Sequence, residues 1–140
     1  MATAIFYPIF AQVILTFGLL LWMGLLRRDA LRAGETTYAE MALDDSRWPP
    51  GARKVANCYR NQFELPVVFY VLCLVAFEIG AVGTLMLVLA WAFVASRLVH
   101  AYIHTTSNRV DQRGAAFAVG FLIVLIMTVL LLGHLLLAGL

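Results

Sequence analysis

The sequence predicts an all-α integral membrane protein, a four-helix bundle, from three observations. Hydrophobic residues make up 63% of the 140 residues and charged residues only 13%, far from the balance of a soluble domain. Three long apolar runs, 5–26, 81–95 and 115–140, are joined by a fourth that begins at Phe63. All ten Lys and Arg residues fall in two places, seven between Arg27 and Arg60 and three between Arg97 and Arg113. By the positive-inside rule both basic regions are cytoplasmic, so both termini and the 78–83 turn face the other side. An even number of spans closes that topology. One domain over 1–140 accommodates the length, and basic residues already explained by topology give no reason to expect nucleic acid.

The first helix is expected over 5–26, about 33 Å at 1.5 Å per residue and long enough to span. It lacks a basic n-region and its apolar run is too long for a secretory signal, so a retained span is expected. Pro8 sits in its first turn, where a missing N–H matters little. Gln12 and Thr16, four apart, offer hydrogen bonds to a neighbouring helix, and Gly18 and Gly24 permit close approach. Arg27 and Arg28 are expected to end the span. Residues 29–51 read as a polar loop that closes on Trp48-Pro49-Pro50-Gly51, with Trp48 at headgroup level.

A second helix is expected over 52–79, bent at Pro66. The tight 78–83 turn then makes it an antiparallel neighbour of a third helix over 84–104. After a short break at 105–108, residues 109–113 lead into a fourth helix over 114–139. Cys58 and Cys73 read as small buried apolar residues, and no disulfide is expected between them.

Asn57, Arg60, Asn61 and Glu64 stand at the mouth of the second span, within an arc of about 100° on a helix. An ionised side chain at membrane depth costs about 2.5–3.5 kcal/mol on insertion scales, so such a cluster reads as a site facing the bundle interior. Arg97, His100 and His104 occupy an arc of about 60° on the third helix at the same depth, and Arg113 begins the fourth. A buried Glu64–Arg97 ion pair locking the second helix to the third is expected. His100 and His104 have a spacing that can chelate a divalent ion, with Glu64 as a third ligand. The neighbouring arginines repel a cation, so no metal is expected. Forked arginine donors, amides and one carboxylate suit a small zwitterion bearing carboxylates. Glutathione fits that description, as do other peptides or a lipid headgroup.

The pattern Arg60-Asn61-x-x-Glu64, then Arg97-x-x-His100-x-x-x-His104, then Arg113 resembles the family of membrane-associated proteins in eicosanoid and glutathione metabolism (MAPEG), and its bacterial branch in particular. The resemblance covers essentially the whole chain. It implies a homotrimer in a bacterial inner membrane, with glutathione as co-substrate bound between neighbouring subunits on the cytoplasmic side. It further implies that Arg113 stabilises the glutathione thiolate as the catalytic residue. Arg60, Asn61, Glu64, Arg97, His100 and His104 would bind the peptide, and a lipophilic small molecule would be the second substrate. Two positions depart from the family pattern: Asn57 stands where many members have arginine, and His104 where several have tyrosine. The implied activity is that of a glutathione-transferase-like enzyme, and the alternative is a non-catalytic member of the family that binds and presents membrane lipids.

Overall fold

The computed structural model describes residues 2–42 and 44–138. Four apolar helical stretches, Ala2–Arg32, Pro50–Glu78, Thr84–Thr105 and Val110–Leu137, are each long enough to cross a membrane, and no strand occurs among the described residues. A 3-10 turn at Ala2–Ile5 leads into α1 (Phe6–Arg32), and a single helical turn, α2 (Tyr38–Met41), lies in the following connection. α3 (Pro50–Arg60) and α4 (Leu65–Glu78) make the second crossing, α5 (Thr84–Thr105) the third and α6 (Val110–Ala138) the fourth. α1 packs on α3 at one end, while the N-terminal turn meets α4 and α5 at the other. The crossings therefore alternate in direction, and the 33–49 and 106–109 connections share one end of the bundle.

Each helix buries one stripe and leaves the rest apolar and outward. On α5, Met86, Ala90, Phe93, Arg97, His100 and His104 are all buried, at spacings of three or four that hold one face. On α6, Gly120, Val124, Met127 and Leu131 do the same. The two stripes meet closely: a Cβ at Gly120 would lie 3.1 Å from Ser96 Oγ, so a glycine is what lets these helices approach. Phe69 of α4 stacks on Phe93 of α5, with ring centroids 4.3 Å apart. Large apolar side chains such as Phe10, Ile14, Phe17, Leu122 and Leu136 stay exposed, as a lipid-facing surface requires.

Several boundaries differ from the sequence expectation. α1 does not stop at Arg27 but runs to Arg32, because arginine and alanine are good helix formers and only the apolar run ends at Leu26. The second crossing is two helices rather than one bent helix. Pro66 removes the N–H that would bond the carbonyl of Gln62, and a 3-10 turn, Asn61–Phe63, fills the break. The fourth helix starts at Val110, four residues earlier than expected, so Arg113 lies inside its first turn. Trp48 is buried against Ala30 and Ala52, at the end of the apolar run of α1. Gly18 and Gly24 have nothing within 4 Å of a Cβ position, so they mediate no helix contact in this chain. At the far end of α4, Gly80 adopts φ +71°, the left-handed conformation that closes a helix, and Ala81 N donates back to Ala76 O at 2.8 Å.

A second polar link ties α1 to the break. Gln12 Nε2 donates to Gln62 Oε1 at 2.8 Å, and Gln62 Nε2 donates to Cys58 O at 2.9 Å. Both glutamines are buried and share this one bond, while Gln12 Oε1 has no partner among the described residues. Thr16, by contrast, donates to Gln12 O on its own helix rather than across.

Candidate functional site

Arg97 stands where the buried stripe of α5 turns from apolar to polar, and it is 0% exposed. Its Nη2 donates to Asn61 Oδ1, in the 3-10 turn of the break. Asn61 in turn donates from Nδ2 to Glu64 Oε2 at 2.6 Å. The expected Glu64–Arg97 ion pair is therefore not formed. Glu64 is exposed, on the same face as the exposed Asn57 and Arg60, and the Asn61 amide lies between the acid and the base.

The rest of the Arg97 fork is bare. Nε and Nη1 are buried with no partner among the described residues, and so are the Nδ1 atoms of His100 and His104. The two imidazoles meet edge to face at 5.5 Å, and Phe117 of α6 lies 6.2 Å from the His100 ring and 6.0 Å from the Arg97 guanidinium carbon. A guanidinium cannot shed its charge in a protein, so an unmatched, fully buried arginine leaves the interior around it electropositive. Buried polar groups are otherwise nearly always paired, so four bare nitrogens in one region mark a candidate site.

Arg113 joins this group from the first turn of α6. Its Nη1 donates to Asn108 Oδ1 at 2.8 Å, its one hydrogen bond among the described residues, and leaves the other donors of the fork available. Asn108 has φ 52°, a left-handed conformation that Asn tolerates better than most residues, and its N–H closes α5 on Ile103 O at 2.7 Å. One asparagine thus both turns the chain and orients the arginine. Sequence reasoning missed it, although an Asn at the apex of a short polar break is a recognisable turn signal.

Asn61, Glu64, Arg97, His100, His104 and Arg113 all lie at the same end of the bundle. Arg60 is engaged elsewhere: its Nη2 donates to Asp45 of the 33–49 connection, and its Nη1 lies 3.5 Å from Asn57 Oδ1. No three His, Cys, Asp or Glu side chains gather in a metal-binding arrangement among the described residues. Cys58 and Cys73 are both buried free thiols.

No match was found among curated proteins or among solved structures. The sequence does match the family model of the MAPEG family over residues 5–133, nearly its full length. The chain, with its four helices long and apolar enough to cross a membrane, belongs to the MAPEG family.

Proposed function

We propose that the chain is a glutathione-transferase-like membrane enzyme that joins the thiol of glutathione to a lipophilic electrophile. The observation that carries this reading is Arg97, fully buried with two guanidinium nitrogens unpartnered among the described residues, beside Arg113 at the polar break. A peptide with two carboxylates and a thiolate supplies the acceptors those donors lack. In this reading Arg97, Asn61, Glu64, His100 and His104 hold the peptide, Glu64 accepting from its ammonium, while Arg60 belongs to the loop.

Arg113 pairs with the sulfur and draws its pKa down from about 8.5 toward neutrality by stabilising the charged form. The thiol proton passes to water. The sulfur lone pair then forms a C–S bond to the electrophilic carbon, and the displaced group departs with its bonding pair. In an addition, the carbon framework keeps that pair and takes a proton from water. The electrophile reaches the cleft sideways from the bilayer. The proposed setting is a homotrimer in a bacterial inner membrane, with the cleft on the cytoplasmic side and both termini periplasmic. The trimer is what the family resemblance implies; a monomeric mass by native mass spectrometry in mild detergent contradicts it.

Glutathione binding to the purified full chain in detergent tests the reading. Saturable binding is expected, together with turnover of a lipophilic electrophile. No detectable binding overturns it in favour of the second reading, a non-catalytic lipid-binding member of the family. That alternative draws on a groove of about 370 Å³ between α1 and the second crossing, walled by Val13, Phe17, Phe63 and Val67.

A further inference from the structure

We propose that Asn108 is a positioning residue for the reaction proposed above. It holds Arg113 by a neutral acceptor, so the guanidinium is fixed in place without surrendering its charge to an acid of its own chain. The role rests on the thiol chemistry proposed for Arg113 and concerns how the 106–113 segment prepares that arginine for it.

The half-buried bond from Arg113 Nη1 to Asn108 Oδ1, 2.8 Å long, spans the joint between α5 and α6. Asn108 has the one positive φ of a non-glycine residue among the described residues, 52°. Glycine would meet that backbone requirement at least as well; what asparagine adds is a side-chain carbonyl. The backbone that carries it is pinned on both sides. Asn108 N donates to Ile103 O at 2.7 Å, Lys54 Nζ of α3 donates to Thr106 O at 2.9 Å, and Arg113 N opens α6 on Arg109 O at 2.9 Å. An acceptor on fixed backbone gives the guanidinium a fixed direction.

The surrounding charges leave Arg113 uncompensated. It makes no ion pair among the described residues. The acid nearest in sequence, Asp111, is bonded to Arg109 at 2.9 Å, and a spacing of two along a helix keeps it off the face of Arg113. Arg97, His100 and His104 of α5 and Cys58 of α3 lie near enough to feel the charge of Arg113, and none is a carboxylate. Glu64 is held by Asn61. A carboxylate in place of the Asn108 amide would bind the guanidinium more strongly and cancel its charge. The amide orients the fork and leaves the full positive charge to a second anion.

The test uses the full chain in detergent with Asn108→Asp and Asn108→Gly. It combines titration of the ultraviolet thiolate absorbance of bound glutathione with kcat and KM for a lipophilic electrophile across pH. Aspartate and glycine both accept the left-handed backbone, so both variants keep the turn. Asn108→Asp is expected to raise the bound-thiol pKa by about one unit, because a negative charge beside Arg113 disfavours the thiolate. Turnover at pH 7 then falls up to about 10-fold and recovers as pH rises, with KM little changed and the unfolding temperature unchanged or higher. Asn108→Gly frees the guanidinium and is expected to lower turnover about 5-fold, the worth of one hydrogen bond. A bound-thiol pKa that Asn108→Asp leaves in place overturns the proposal. Equal losses of turnover at every pH in both variants, with lowered unfolding temperatures, also overturn it and make Asn108 a turn residue alone. An unmutated chain that binds no glutathione overturns the proposed function itself, and this role with it.

Discussion

Two clusters of charge lie at the same end of the bundle and are built in opposite ways. At the corner of the 33–49 connection, Arg27, Arg60 and Trp48 converge on Asp45, and both Asp45 and Arg60 are open to solvent. Around α5, Arg97 is wholly buried and has one hydrogen-bond partner for its three nitrogens. Exposed pairs add about 0–1 kcal/mol each and are cheap to keep. A buried guanidinium short of acceptors destabilises the ligand-free fold, and the proposed function gives it a ligand to bind. Solvent-open charges have water as a partner; the buried set is short of acceptors.

That contrast is most exposed to challenge at Arg113. Arg113→Ala is expected to reduce turnover about 30- to 1,000-fold, by removing roughly 2–4 kcal/mol of interaction with the reacting sulfur. Steady-state kinetics with a lipophilic electrophile at saturating glutathione checks it. Arg97→Met should give a more unusual pair of effects. Glutathione affinity falls about 10- to 100-fold with the lost charged hydrogen bonds, while the ligand-free protein gains about 1–4 kcal/mol because a poorly matched buried charge is gone. Thermal unfolding in detergent beside calorimetric binding reads both; loss of stability would mean Arg97 is a structural clamp.

A neutral buried pair gives the control. Gln12→Leu leaves the Gln62 Oε1 acceptor without its donor and is expected to destabilise by about 1–3 kcal/mol, seen as a lower unfolding temperature. The smallest effect is expected in the solvent loop, where Thr37 caps α2 and Glu40 returns the bond in a capping box. The Thr37 hydroxyl and N–H hold the Glu40 carboxyl below its ordinary value. A depressed carboxyl stabilises its fold above the unfolded pKa, so α2 should lose amide-exchange protection as pH falls below about 4.3. Thr37→Ala should show the same reduced protection already at neutral pH.

Much of this architecture was legible in the sequence, and the failures share a cause. Hydropathy reports where lipid ends, not where a helix ends; hence α1 continued through Arg27 and Arg28 to Arg32, and α6 began at Val110. Pro66 announced a break but not its form, and from the 3-10 turn Asn61 meets Arg97 while Glu64 is exposed. Depth along a helix was readable; which polar side chain meets Arg97 was not. The spacing of Arg97, His100 and His104 did place them on one face, continuing the apolar stripe of Met86, Ala90 and Phe93. Gln12 was recognisable as an amide needing a partner, but Gln62, 50 residues on, is joined to it only by the packing of α1 on the second crossing.

The central claim is that the unmatched positive charge around Arg97 and Arg113 serves to ionise a bound thiol. The ultraviolet thiolate absorbance of glutathione on the purified protein, titrated against pH, measures that directly. The account predicts a bound thiol ionised near neutrality, well below its free value of about 8.5, and a return toward that value in Arg113→Ala with affinity little changed. Glutathione bound as the neutral thiol at pH 7, with the same titration in both proteins, would contradict it.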